Sequence, residues 1–422
     1  MEIANGDSYH SPMNKSICIF ALLCIPLAQA AEPAAWDQWR GPSRDGILKN
    51  AQVWPADFKG FQSVWSVENL GPSYSGPIIS SDSVFTTETI AKKTERVTAY
   101  DRATGKLRWK AEWEGSVSVP FFAAANGSWI RATPAFDGER LYVAGIKDLL
   151  VCLDAKTGKE LWRYDFVKEQ KSEVPTFGFV SSPLVDSQAV YVQAGGGFAK
   201  LDKLSGKLLW LTLKDGGGTN GSAFSSPMFA KLGATDQIVV QTRTKMAGVD
   251  SNTGKSLWTK EIPSFRGMNV LTPVIFGDTV FTSTYGGNTQ GFKVLGSTGE
   301  LRTENAWNFK YEGNMSTPVV VGDHAYYLGK DQRAICVNLK DGKEAWRSEK
   351  RFGKYWNLVA NGDRILALDE RGTLFLLKAN PMEMEILAEK KLPRSDTWAH
   401  LALYGDEIAI RDLSSLTLYR WK

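Results

Sequence analysis

Short apolar strands and polar turns alternate along the chain in an order that repeats. Each unit opens with a small residue before proline, at Gly76-Pro77, Thr133-Pro134, Ser182-Pro183, Ser226-Pro227, Thr272-Pro273 and Thr317-Pro318. A short apolar strand follows, then usually a Gly-Asp or Asp-Gly turn, as at Asp137-Gly138, Gly277-Asp278, Gly322-Asp323, Gly362-Asp363 and Gly405-Asp406. The second strand carries a pair such as Val84-Phe85, Leu141-Tyr142, Val190-Tyr191 or Val280-Phe281. The third runs into an aspartate and a turn, and the fourth bears a tryptophan. Self-similarity at a period of about 40–50 residues marks a propeller or a solenoid.

The turn is the most regular part of the repeat. Asp101, Asp154, Asp202 and Asp250 each stand four residues before Gly105, Gly158, Gly206 and Gly254, with Trp109, Trp162, Trp210 and Trp258 four residues beyond. A looser copy has Asn338, Gly342 and Trp346. The Asp side chain can accept from the turn's amides, and the Gly supplies the positive φ that closes the hairpin. A Trp that recurs with the repeat reads as packing between neighbouring units, contributing up to roughly 4–6 kcal/mol at 25 cal/mol per Å². Blade five (LGSTGELRTENAW) keeps its glycine but loses the Asp and displaces the Trp, and blade seven (Leu374–Leu392) has lost the motif. The last unit, His400–Trp421, holds three strands. The lone strand Phe61–Val67, whose Trp65 matches the repeat Trp, supplies the fourth. The sum predicts an all-β, eight-bladed β-propeller of four-stranded antiparallel blades, closed by an N-terminal strand.

The pattern A-x-D-x-x-T-G-x-x-x-W resembles the tryptophan-docking motif of quinoprotein-type (PQQ-like) β-propellers. That group includes PQQ-dependent alcohol dehydrogenases and BamB-like outer-membrane assembly factors. The likeness covers nearly all of the mature chain and is specific for fold. The stretch Trp36-Asp37-Gln38-Trp39-Arg40-Gly41-Pro42 with Asp45-Gly46-Ile47 looks like the leading segment of exported, planctomycete-type members.

Charge and targeting narrow the setting. The net charge is +4, with basic residues scattered through the turns, so no basic run points to nucleic acid. Met13-Asn14-Lys15-Ser16, the apolar Ile17–Leu27 and Ala28-Gln29-Ala30 form the three regions of a signal peptide. The domain reading is therefore a leader over 1–30 with its true start at Met13, an N-terminal segment over 31–60 packing across one face, and the propeller over 61–422. No apolar run is long enough to span a bilayer. Leu23 before Cys24 departs from a lipobox, which favours a periplasmic or secreted protein without a lipid anchor. Removing the leader leaves Cys152 and Cys336, in blades two and six, too far apart for a disulfide.

The loops entering the inner strands place Tyr74, Arg131, Phe179, Phe224, Asn269, Asn314, Trp356 and Trp398 around the central funnel. Hairpins on the same face add Arg96, Lys147, Arg243, Lys245, Tyr285, Lys330, Arg333, Arg371 and Arg411. Aromatics with Arg, Lys and Asn suit a planar anionic ligand or peptide segments. No catalytic residue or metal ligand is assigned: C-x-x-C, H-E-x-x-H and G-x-S-x-G are missing, and Gly216-Gly217-Gly218 lacks the Lys-Ser/Thr of a phosphate loop. The mature chain has two histidines, His324 in a hairpin and His400 at the funnel. In quinoprotein dehydrogenases the resemblance implies a calcium ion held by Glu, Asn and Asp, an Asp base and a disulfide of vicinal cysteines. This chain has no Cys-Cys pair. The favoured reading is a non-catalytic module, with no cofactor, that binds an envelope protein or small ligand at the funnel. The alternative is a quinoprotein oxidoreductase, or degenerate relative, using PQQ with calcium. A third reading, a carbohydrate- or polymer-binding module, would use Trp356 and Trp398 as exposed side chains.

Overall fold

The computed structural model describes residues 1–3, 6, 8, 33–121, 124, 127–215, 224–297, 299–313, 315–393 and 396–421. The leader with Met13, Cys18, Cys24 and Ala31, the glycines 216–218 and Asn314 lie outside the described residues. Residues from Pro33 onward form one unit. Among the described residues there are eight four-stranded antiparallel sheets. Seven of them take their strands in chain order, over residues 78–114, 135–165, 184–212, 228–261, 274–309, 319–351 and 356–391. These are blades one to seven. The eighth joins Ala402–Tyr404, Glu407–Arg411 and Ser415–Arg420 to Gln62–Glu68, so both ends of the propeller share one blade.

The repeated turn explains how neighbouring blades meet. Asp154 Oδ1 accepts from the Thr157 amide at 2.8 Å and from its hydroxyl at 2.7 Å, and Gly158 adopts a φ of +72°. Trp109 of blade one lies flat on that glycine, where an added Cβ would stand 2.4 Å from the ring. Its indole N–H donates to the Ala155 carbonyl at 2.9 Å. Glycine is thus required twice, for the backbone angle and for the ring. The same stacking joins Trp65 to Gly105, Trp162 to Gly206, Trp210 to Gly254 and Trp307 to Gly342. Trp307 is the displaced Trp of blade five, and it still docks. Trp258 behaves differently: its N–H turns inward to Gln237 Oε1 of its own blade, at 2.6 Å.

The small residues before proline form a second, inner belt. The Gly76 amide donates to Thr133 Oγ1, Thr133 to Ser182 Oγ, Ser182 to Ser226 Oγ, Ser226 to Thr272 Oγ1 and Thr272 to Thr317 Oγ1, all at 3.0–3.1 Å. Each hydroxyl satisfies an amide of the preceding blade that no sheet partner reaches. Such a bond contributes about 1 kcal/mol, and the belt ties six consecutive blades around the axis.

Residues 33–60 do more than cover a face. Trp36 bridges to Ile79 of blade one, the Phe136 amide of blade two donates to the Asp37 carbonyl, and Ile47 bridges to Ala360 of blade seven. Between these points Arg40 donates to the carbonyls of Thr317 and Pro318 in blade six. Arg44 donates to those of Ser182, Pro183 and Pro227 in blades three and four. Both guanidinium groups are buried. The segment therefore crosses the central channel, where sequence reading placed it over one face; its two arginines satisfy carbonyls at the starts of the inner strands. Farther along, Trp54, Phe58 and Phe61 pack on Tyr419 and Trp421 beside the closing strand. Cys152 and Cys336 are free, buried thiols, pushed up to about 12 by burial.

Candidate functional site

The extended segments leading into the inner strands wall a cavity of about 180 Å³ at the mouth of the channel. Tyr74, Arg131, Phe224 and Trp398 line it, as their sequence positions suggest. Phe179, Asn269 and Trp356 face away from it. Phe179 is packed in the core between blades two and three. Asn269 donates its amide to the carbonyls of Thr242, Arg243 and Ile262 at 3.1–3.2 Å. Trp356 packs against Phe352 and Phe375. An extended chain points alternate residues to opposite sides, so the cavity instead receives Val180, Met268, Val270 and Tyr355, each one position along. Asn314 lies outside the described residues, and its neighbour Met315 faces the cavity.

The base of the cavity comes from the segment that crosses the channel. Trp39 lines it together with Thr133, Ser182, Ser226, Thr272 and Thr317 of the inner belt. Its ring meets His400 edge-on, with centroids 5.1 Å apart. His400 Nε2 lies 2.9 Å from the Tyr355 hydroxyl. Burial and the nearby Arg40 hold its imidazole well below the usual range, so it is neutral at pH 7. Sequence reasoning missed Trp39 because the Trp36–Pro42 stretch lies outside the repeat. Its one signal was a Trp directly before Arg40.

The wall has two characters. On one side Trp398 stands between Tyr74 and Tyr355, stacked on both at 5.2 and 5.6 Å. Trp356 lies in the core, whereas Trp398 is half-buried in this stack and still lines the cavity. The other side is apolar and adaptable, made by Phe177, Val180, Phe224, Met268, Val270 and Met315. Arg131 lies over Tyr74 at 5.6 Å and Arg243 over Phe224 at 5.2 Å. Burial lowers Arg131 to about 10, Arg40 to about 10 and Arg44 to about 9, so all three stay charged at neutral pH.

Most hairpin cations on this face are held by local partners. Arg96 pairs with Glu88 and Glu112, Lys147 with Glu114, Lys330 with Glu312, and Arg371 with Asp369 and Glu370. Arg333 donates to the Ser348 carbonyl, and the buried Arg411 donates to that of Gly71. A calcium-bound quinone would need carboxylates at the wall, because Ca²⁺ takes six to eight oxygen ligands. No Asp or Glu is among the lining residues, and no group of three or more His, Cys, Asp or Glu among the described residues is placed to hold a metal ion. The donor set does not fit that group.

A family profile described as "Outer membrane protein assembly factor BamB" matches residues 93–348, more than half of the chain. The chain belongs to that BamB-type, PQQ-like propeller family. BamB of Shewanella oneidensis is 24% identical over 270 residues, which cover 60% of this chain and 61% of that protein. The chain thus spans about three fifths of that relative's length. Among solved structures, BamB from Moraxella catarrhalis aligns with a TM-score of 0.61 at 15% identity, over 86% of this chain and 98% of that one. The quinohemoprotein alcohol dehydrogenase of Comamonas testosteroni aligns at 0.66 and 14% identity, over 93% and 81%. At those identities the structural likeness speaks for the fold alone.

Proposed function

We propose that the protein is an exported, non-catalytic BamB-like scaffold that serves assembly of the outer envelope by holding a partner at its funnel. The observation that carries this reading is the cavity's make-up. It combines an apolar, methionine-bearing wall, stacked aromatics and cations with a neutral, half-buried histidine, and among the described residues no carboxylate lines it to act as base or hold calcium. Family membership points the same way, since the profile that matches is named for outer-membrane protein assembly. No helix among the described residues is long and apolar enough to cross a membrane. The leader read from sequence would deliver the chain to the periplasm, and N-terminal sequencing of the mature protein should begin at Ala31.

The test is genetic. Removing the gene from its native cell should lower the amounts of outer-membrane proteins, and re-expression should restore them. Unchanged amounts in the deletion strain would overturn the scaffold reading. Titration with PQQ, with and without calcium, addresses the oxidoreductase alternative. Tight calcium-dependent binding would establish it and set this proposal aside.

A further inference from the structure

The scaffold reading leaves open what enters the funnel. Three features of the cavity bear on it. At about 180 Å³ it is smaller than the roughly 300–1,000 Å³ of pockets that enclose a whole cofactor or drug-sized ligand, and it is the size of one large side chain. Its apolar half is built of flexible and aromatic groups (Met268, Met315, Phe177 and Phe224 among them). Such a surface repacks around differently shaped apolar side chains.

Charge is the third feature: the cavity's own lining carries a cation and no acid, and the acid nearest its wall is Asp396, which acts on Tyr74 from outside the lining. Arg131 lines the cavity, and Arg40 and Arg44 lie in the segment that carries Trp39. Arg243 is 2% exposed behind Phe224, and its Nη1 has no hydrogen-bond partner among the described residues. The acidic groups near these cations are Asp45 beside Arg40, Asp37 beside Arg44 and Asp215 beside Arg243. None of the three lines the cavity. Below the wall, the hydroxyls of Thr133, Ser182 and Thr317 accept amides from the preceding blade. Each hydroxyl still carries a proton that it can donate.

We propose, building on the scaffold reading, that the funnel takes the bulky apolar side chain of an acidic polypeptide segment, with Trp39 as the base on which that side chain lands. The apolar wall receives the anchor, and Arg131 at the wall, with Arg243 behind Phe224, draws the carboxylates that flank it. Because Trp39 is delivered by the N-terminal segment, the pocket has its base only while Arg40 and Arg44 hold that segment across the channel. Binding and docking of the segment are then linked, and each strengthens the other.

The experiment uses the full mature protein with indole ¹⁵N labelling. The probe is a blocked peptide of about twelve residues built from Asp, Ser and Gly around one central Phe. Expected are saturable shifts of the Trp39 and Trp398 indole signals, assigned with W39F and W398F, and a dissociation constant below about 1 mM. Replacing the central Phe by Ala, or every Asp by Lys, should each weaken binding at least about tenfold. M268E places a carboxylate in the wall without touching the segment, and should weaken binding by a similar factor while the melt stays cooperative. Free phenylacetate distinguishes a small aromatic acid from a polypeptide: it should bind more weakly than the peptide, and tighter binding would reassign the pocket to small acids. Peptide binding that ignores the Ala, Lys and M268E changes, or that leaves both indole signals unmoved, would overturn the inference. If the deletion strain still loses its outer-membrane proteins and M268E restores them, the scaffold reading stands and only the funnel assignment falls.

Discussion

Blade one meets blade two through a tryptophan, and blade seven meets blade eight without one. At the first junction Trp109, opposite Ala99 in the sheet register, lies on Gly158 and donates to Ala155. At the second, the matching register position opposite Leu376 is Ala388. The reason lies in chain connectivity. A docking Trp needs the turn between the third and fourth strands of the next blade, and in blade eight those strands come from opposite ends of the chain. With no turn there is no glycine to receive a ring. Ala388 instead packs beside a cluster that includes Trp54, Phe61, Tyr419 and Trp421, and the Trp421 indole donates to the Asp57 carbonyl at 3.0 Å. Five junctions thus use one repeated device, and the seam uses a composite of both termini.

The seam should show the largest effect when broken. A chain beginning at Glu68 loses the closing strand, Trp54, Phe58, Phe61 and the segment across the channel. It exposes the edge of Ser415–Arg420 and should lose its cooperative thermal transition, or melt more than about 10 °C lower. A near-UV circular dichroism melt matching the full-length curve would show that the seam is dispensable.

The docked junction can be sharpened with two glycines. Gly158 and Gly299 both have positive φ, +72° and +95°, but only Gly158 faces a ring, and nothing stands within 4 Å of a Cβ at Gly299. Gly158→Ala should cost about 2–4 kcal/mol, and Gly299→Ala about 1 kcal/mol from backbone strain alone. Equal shifts in urea midpoint would mean that ring contact adds nothing to the φ requirement.

A smaller effect, dependent on pH, separates blades one to three from the seam. Glu95 and Asp148 are both fully buried, and burial raises each to about 7 against the hydrogen bonds from Ile146, Trp113 and Gly195. The charged groups facing them are Lys147 and Asp165. A carboxyl raised on folding keeps its proton in the native state longer than in the unfolded chain. Its contribution is therefore full below about pH 4, and is lost as pH rises toward 7. Urea midpoints should fall between pH 5 and pH 8, and Glu95→Gln should flatten that slope. Asp101, lowered to about 2 first by Arg108 and then by Thr104, acts in the opposite sense below pH 4, outside this window. A slope unchanged by Glu95→Gln would remove Glu95 from the account.

The smallest effect belongs to the outer rim. Arg163 and Glu160 pair on an exposed strand, and Arg163→Ala should change stability by less than about 0.5 kcal/mol. A larger loss would show that the outer strands contribute more than the docking turns suggest.

Legibility follows the repeat. The Asp-x-x-Thr-Gly turns, the tryptophans and the small residues before proline could be read because each recurs several times over; that the hydroxyls among them bond to the preceding blade's amides is seen only in the structure. Blade five was readable in part: its glycine and Trp are present, and the structure shows that displaced Trp307 still reaches Gly342. The funnel was readable to the nearest residue or two. Tyr74, Arg131, Phe224 and Trp398 face it, whereas Phe179, Asn269 and Trp356 turn into the core. A single step of extended chain reverses a side chain's direction, and the repeat itself sets the phase: Tyr74, Arg131, Val180, Phe224, Val270 and Met315, each three residues before its proline, all face the cavity, whereas Phe179 and Asn269 stand four before.

By itself, the sequence determined the class of fold, the blade number, the turn chemistry and the need for an N-terminal strand to complete the last blade. These follow from short-range geometry repeated in register, which composition and spacing record directly. Tertiary structure decided that residues 36–47 cross the channel, that Arg40 and Arg44 are spent on backbone carbonyls, and that Trp39 becomes the base of the pocket. Those contacts join residues up to 278 positions apart. Their partners are carbonyl groups that every residue carries, so nothing in the side-chain pattern marks them in advance.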